Sequence, residues 1–152
     1  GDLVVIDFGA LVDGYHSDMT RTLAVGELSP TQTRMYDVVI EAQAAGVDAV
    51  GAGVGARVVD TACRDVIAAA GWADAFVHGT GHGVGLDIHE SPRMAGTNHQ
   101  PLAPGMIVTV EPGIYLPGIG GVRIEDDVLV TETGNEVLTS VPKQWNQMQR
   151  PF

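Results

Sequence analysis

The chain has 152 residues, 45% of them hydrophobic and 18% charged, which suits one domain with a buried core and excludes a disordered chain, a collagen or a coiled coil. Lys+Arg number 8 against 19 Asp+Glu, a formal net charge of -11. Such a surface repels phosphate, so neither a nucleic acid nor an anionic membrane is an expected partner.

Cys63, the lone cysteine, cannot close an internal disulfide and fits a reducing compartment or plain core use. No apolar run reaches the roughly 18 residues of a membrane span. Residues 1–6 lack the basic start of a signal peptide, so a cytoplasmic location is expected. The chain lacks an initial Met and enters an apolar strand at once, which reads as a start inside a fold.

In chain order, the apolar run 3–8 predicts a strand. Asp13-Gly14 is a hairpin signal, and a second strand should return through 19–23. Ser29-Pro30-Thr31-Gln32 opens a helix, with Ser29 as cap, Pro30 first in the helix and Gln32 closing a capping box. Met35, Val38, Val39, Ala42, Ala45 and Ala49 follow at helical spacing, and the helix should stop near 51–53. A second helix is expected over 56–70, with Val59, Ala62, Cys63, Val66 and Ala70 on one stripe and Gly71 ending it. Strands are expected at 106–111, 122–131 and 136–139, the last after a turn at 133–135. The pattern is α+β in one domain.

The informative residues are acids on strands. Asp7 interrupts an apolar run; alone it would pass for a turn or capping carboxylate. A two-residue turn at Asp13-Gly14 pairs residue 7 with residue 20, and Asp18 then lies diagonally on the same face. Two facing carboxylates repel unless a cation sits between them. Glu111 ends one predicted strand and Glu125 lies inside another, where period two puts Arg123, Glu125 and Asp127 on one face. A solvated strand would read the same way. Asp126 falls in phase with Ile124 and Val128, and the pattern offers no reason for it.

Three of the chain's 5 histidines fall in the glycine-rich stretch His78 to His89, with His82 between them. Glycines there would let the backbone approach a ligand. The stretch matches neither a dinucleotide fingerprint nor a helical zinc motif. His16 and His99, in polar turn-rich surroundings, read as surface residues. Four carboxylates and an imidazole can hold two divalent ions, and oxygen-rich ligation favours Mn, Co or Fe. Such a pair suits hydrolysis of an amide or a phosphoester, and the acidic surface puts the amide first.

The ordered motifs Ile6-Asp7-Phe8-Gly9-Ala10, Gly14-Tyr15-His16-Ser17-Asp18-Met19-Thr20-Arg21-Thr22, residues 78–90, 104–115 and Gly121-Val122-Arg123-Ile124-Glu125-Asp126 resemble the metallopeptidases of the aminopeptidase P, prolidase and methionine aminopeptidase family. The resemblance implies the pita-bread fold and a cofactor of two divalent ions, manganese first, with Co, Fe or Zn as alternatives. It implies Asp7, Asp18, His82, Glu111 and Glu125 as metal ligands, Asp18 and Glu125 bridging. Glu111 would also be the general acid/base. His78 and His89 would be catalytic histidines that hydrogen-bond the substrate carbonyl. Arg123 would orient the site, and Arg93 would clamp a substrate carboxylate.

The motifs around Asp18 and Glu125 resemble the Xaa-Pro branch, which implies hydrolysis of proline-containing peptides, as a dipeptidase or an aminopeptidase. The resemblance further implies that residues 1–152 are the C-terminal portion of a catalytic domain, without its upstream part and N-terminal domain, from a protein that is a homodimer at full length. The fragment alone is expected to bind metal weakly and turn over poorly. The alternatives are a methionine aminopeptidase, a non-catalytic interaction module on the same fold, and a metal-free amidinohydrolase like creatinase. The last two would have replaced ligands that this chain keeps.

Overall fold

The computed structural model describes residues 1–144. A long two-stranded ribbon opens it. β1 (Asp2–Phe8) runs out, β2 (Leu11–Val12) and β3 (Tyr15–His16) form the tip, and β4 (Met19–Val25) returns with Thr20 opposite Asp7. The register follows from the turn: Asp13 and Gly14 both take positive φ, 51° and 87°, which suits the twist of a two-residue hairpin. The ladder breaks where Gly9 crosses Ser17. A Cβ on Gly9 would lie 1.9 Å from the Ser17 carbonyl oxygen, so only glycine fits, and Asp18 leaves the ribbon there.

Two helices follow. α1 (Pro30–Ala49) starts with the expected box: Gln32 N donates to Ser29 Oγ at 3.3 Å, and Ser29 N donates to Gln32 Oε1 at 2.9 Å. Met35, Val39 and Ala42 are buried as expected. Tyr36, Gln43, Gly46 and Val47 widen that face, whereas Val38, Ala45 and Ala49 are half-buried. α2 (Ala56–Ala69) buries Val59, Cys63 and Ile67 and leaves Ala70 half-buried. The helices cross at Gly46, where a Cβ would lie 2.4 Å from Cys63 Sγ. Burial pushes the Cys63 thiol up to about 12, so it is an inert core residue.

The remaining strands are β5 (Gly81–Gly83), β6 (Glu90–Met94), β7 (Ile107–Val110), β8 (Gly113–Leu116), β9 (Gly120–Arg123), β10 (Asp126–Thr131) and β11 (Gly134–Val137). Five of them form one antiparallel sheet in the order β11-β10-β7-β5-β6, and β8 pairs with β9 apart from it. Val108, Val110, Val128 and Val130 of the sheet join the buried faces of α1 and α2 in one core. No helix among the described residues is long and apolar enough to cross a membrane.

Two expectations are corrected here. The strand expected over 122–131 is two strands, because the chain changes partners at Ile124-Glu125, from β8 to β7 and β11. The last strand starts at Gly134, so the turn falls on 132–133 and the strand closes two residues early.

The unexplained phase of Asp126 has a structural answer. Fully buried beside α1, it takes Arg21 Nη2 at 2.8 Å, Lys143 Nζ at 2.6 Å and Gln43 Nε2 at 3.0 Å. Arg21 also donates to the carbonyls of Thr20 (2.8 Å), Glu125 (2.5 Å) and Val141 (2.7 Å). Removing one partner of such a pair strands a buried charge. Asp126→Ala is expected to cost about 3–5 kcal/mol in a urea melt; a loss under about 1 kcal/mol would contradict this role.

Candidate metal centre

The five acid and imidazole candidates come from five places in the fold. Asp7 sits near the end of β1 and Asp18 just before β4. His82 is central in β5, Glu111 follows β7, and Glu125 occupies the break between β9 and β10. They converge. One donor atom from each of Asp7, Asp18 and Glu125 lies within 4.8 Å of the others, and so does one from each of His82, Glu111 and Glu125. Glu125 belongs to both groups. Asp18, His82 and His89 form a third. The period-two argument that put Glu125 in phase with Arg123 and Asp127 does not apply, since Glu125 is not in a strand.

Neighbours aim these side chains. Thr20 Oγ1 donates to Glu125 Oε2 at 2.5 Å, and Thr109 Oγ1 donates to Glu111 Oε1 at 3.2 Å. Asp18 N donates to Asp127 Oδ2 at 3.0 Å. His82 Nδ1 faces the Gly83 carbonyl at 3.0 Å. A carbonyl only accepts, so Nδ1 carries the proton and the Nε2 lone pair is free for a cation. Nε2 lies 3.4 Å from Glu111 Oε1 and 3.7 Å from Asp18 Oδ2.

The glycines beside His82 serve packing, which corrects the expectation of close ligand approach. A Cβ on Gly81 would lie 2.0 Å from the Thr109 carbonyl oxygen, and one on Gly83 2.4 Å from that of Ser91. They let β5 fit between β6 and β7.

The electrostatics are those of a site short of positive charge. Burial, then mutual repulsion, raises Asp18, and burial with Glu111 nearby raises Glu125. Burial also raises Glu111, against the pull of Arg123. Asp127 is pushed up to about 6, again mainly by burial. Burial lowers His82 and keeps it neutral. Among the described residues, Arg123 is the one guanidinium that pairs with these carboxylates. It ion-pairs with Asp7, stands 3.9 Å from Glu111 Oε2 and donates to Tyr115 Oη at 3.3 Å.

Beside the cluster, His78, His82, His89, Arg93, Glu111 and Arg123 line a cavity of about 460 Å³. His89 and Arg93 are exposed there, and the His89 ring lies 4.4 Å from that of His82. The His78 Nδ1–H is committed to the Gly79 carbonyl at 2.8 Å, and its Nε2 accepts from Tyr115 Oη at 2.8 Å. In this arrangement both ring nitrogens are engaged, one by Gly79 and one by Tyr115. His99 is exposed as expected, but His16 is half-buried, because its backbone N–H binds the Gly85 carbonyl at 2.9 Å and draws β3 against that loop. Its Nδ1 has no hydrogen-bond partner among the described residues. Thr109 and Tyr115 were not singled out from the sequence, and Thr20 and Asp127 entered it only through register and strand phase. Thr109 left a signal, a lone hydroxyl between Val108 and Val110.

Residues 1–132 match the family model for Metallopeptidase family M24. The chain belongs to this family. Over 144 residues the M24 chain is 49% identical to the Xaa-Pro dipeptidase of Pyrococcus furiosus, covering 95% of its own length and 41% of that relative. The solved Xaa-Pro dipeptidase from Bacillus anthracis is similar at 55% identity and a TM-score of 0.93, over 95% of this chain and 41% of that one. The X-Pro aminopeptidase from Thermotoga maritima follows at 42% identity and a TM-score of 0.91, over 95% and 41%. The expected pita-bread fold is therefore shared, and the chain spans about two fifths of the relatives it matches. M24 membership implies divalent metal ions. The residues fit: an oxygen-rich donor set, one neutral imidazole with its lone pair turned inward, and buried carboxylates whose repulsion a cation would relieve.

Proposed function

We propose that this chain carries the two-metal catalytic centre of an Xaa-Pro peptidase. The observation that carries the reading is the convergence of Asp7, Asp18, His82, Glu111 and Glu125 into overlapping groups that share Glu125. Asp18 and Glu125 would be shared between the two ions, Asp7 would complete one set, and His82 with Glu111 the other. Manganese is the first choice for this oxygen-rich set, ahead of Co, Fe or Zn. The chemistry supplied by such a pair, when bound, is polarisation of the scissile carbonyl and acidification of water.

The chain's own residues do the rest. Glu111, held by the Thr109 hydroxyl beside His82, would take a proton from the attacking water and return it to the departing nitrogen. His89, exposed at the cavity beside His82, has a ring free to donate toward the carbonyl oxygen as charge develops. Arg93 lines the same cavity and has no carboxylate partner among the described residues, which suits it to the free carboxylate of a short peptide. Arg123 holds Asp7 and Tyr115 in place. The tertiary amide before proline has no N–H to offer, so recognition must come from its carbonyl and the peptide's ends. A homodimer and a cytoplasmic setting belong to the same proposal.

The test is metal stoichiometry together with hydrolysis of Gly-Pro and Xaa-Pro-Yaa peptides by the natural polypeptide that carries these residues. Two equivalents of Mn(II), hydrolysis lost on chelation, and a roughly 10²–10⁴-fold lower rate in Glu111→Ala are expected. Hydrolysis indifferent to chelator, or undiminished in Glu111→Ala, would overturn the reading.

A further inference from the structure

We propose that Asp60 and Arg64, one turn apart on α2, are positioning residues that hold the segment bearing His78 and, through Thr80, the backbone of Glu111. That this holding serves catalysis rests on the function proposed above; the holding itself does not.

Asp60 is fully buried, although it lies on the apolar face of α2 beside Val59 and Cys63. A carboxylate is tolerated there only if its oxygens are satisfied. Four donors do so. Arg64 Nε lies at 2.7 Å and Nη2 at 3.2 Å, and Thr80 contributes its N–H at 3.1 Å and its hydroxyl at 3.0 Å. An exposed pair at this spacing on a helix would contribute only a few tenths of a kcal/mol and would need no second element. Here half of the donors come from the strand side.

Arg64 uses the rest of its fork on the same segment. Nη1 donates to the Phe76 carbonyl at 3.0 Å and Nη2 to the His78 carbonyl. The guanidinium lies 4.3 Å over the Phe76 ring, which meets His78 edge-on at 5.0 Å. At the far end, Glu111 N donates to the Thr80 carbonyl at 2.7 Å. One ion pair, its carboxylate buried and its guanidinium part-exposed, thus grips residues 76, 78 and 80, and the grip passes on to Glu111. A planar fork can bind a carboxylate and two carbonyls at once; an ammonium cannot.

The experiment compares the 152-residue chain with Arg64→Ala, Arg64→Lys and Asp60→Asn by nitrogen-15 NMR, with Mn(II) stoichiometry measured on the natural polypeptide that carries these residues. In the parent chain the His78 ring should be a single Nδ1–H tautomer. In each variant it should relax toward the solvent mixture, and amide exchange at Thr80 and Glu111 should quicken by about tenfold or more. Protection at Val39 and Ala42 in α1 should persist. Arg64→Lys should not restore the parent signature.

A folded variant with the parent His78 tautomer and parent exchange at Thr80 and Glu111 would overturn the proposal. Loss of protection spread evenly over α1 would also overturn it, as a purely structural role. Should Arg64→Ala fail to fold, the lysine and asparagine variants carry the test. Should the natural polypeptide that carries these residues bind no Mn(II) while the variants still free His78, the proposed function would fall and the positioning would stand. Two equivalents of Mn(II) with an unmoved His78 would do the reverse.

Discussion

Adding Mn(II) to the metal-free chain is expected to raise its melting temperature by roughly 10 °C at pH 8.5, and by less than half of that at pH 6. A ligand at a hundred to a thousand times its dissociation constant stabilises by about 3–4 kcal/mol, and each kcal/mol moves a chain of this size by about 2–4 °C. The pH dependence follows from the buried acids. Asp18, Glu111 and Glu125 are all raised by burial and by one another. Their contribution to metal-free stability is complete below the ordinary carboxylate range and is lost as pH climbs through the raised values.

His78 and His82 work in the opposite sense. Burial lowers both, so their contribution is present above about pH 6.5 and lost on acidification. Above about pH 7.5 they are largely neutral whether the chain is folded or not, and the acids act alone. The metal-free melting temperature should therefore decline from about pH 7.5 to pH 9, and Mn(II) should abolish the decline by replacing the missing positive charge. Calorimetry at three pH values, with metal and with chelator, measures this. A metal-free chain whose stability holds or rises across that window would show that the carboxylates are not in conflict.

Glu125→Gln should separate stability from function. Glu125 is 2% exposed, accepts from Thr20 and sits among Glu111, Asp18 and Asp7. Glutamine keeps the shape and an oxygen for the Thr20 hydroxyl but removes the charge. In the absence of metal the variant should be more stable than the parent by about 1–3 kcal/mol at pH 8.5, since one pKa unit corresponds to about 1.4 kcal/mol. Its affinity for the second Mn(II) should fall by roughly 100-fold or more. The two effects have opposite signs because the same buried charge opposes the empty fold and attracts the ions. A variant less stable than its parent without metal, or one that still takes two equivalents as tightly, would refute Glu125 as the shared ligand.

Local signals in the chain were read correctly wherever the physics is local. Ser29-Pro30-Thr31-Gln32 is a capping box because its bonds close within four residues. Asp13-Gly14 set the ribbon register because a two-residue turn leaves no slack, and that register put Asp7 opposite Thr20. The five candidate metal residues were legible because acids and a glycine-flanked histidine stand out in apolar strands and resemble known motifs.

What escaped depends on partners far away in the sequence. Asp126 made no sense by periodicity because its reasons are Arg21, Gln43 and Lys143. The break at Ile124-Glu125 follows from strand exchange between two sheets. The Tyr115 hydroxyl facing His78 Nε2 at 2.8 Å is another such distant partner. Asp60 gave no sign at all, being one acid among 19.

By itself, then, the sequence determined the elements, the turn that sets the first register, and which residue types could bind a metal. Only the tertiary structure brings the donor atoms of these residues within 4.8 Å of one another, with Glu125 in two of the three groups. It also decided which way the His82 lone pair turns, and that a buried Asp60 with its Arg64 partner on α2 grips the loop beside the site. The physical reason is range. Turns and caps are settled by neighbours within a few residues, whereas burial, repulsion between carboxylates and the satisfaction of a buried charge exist only once distant strands have met.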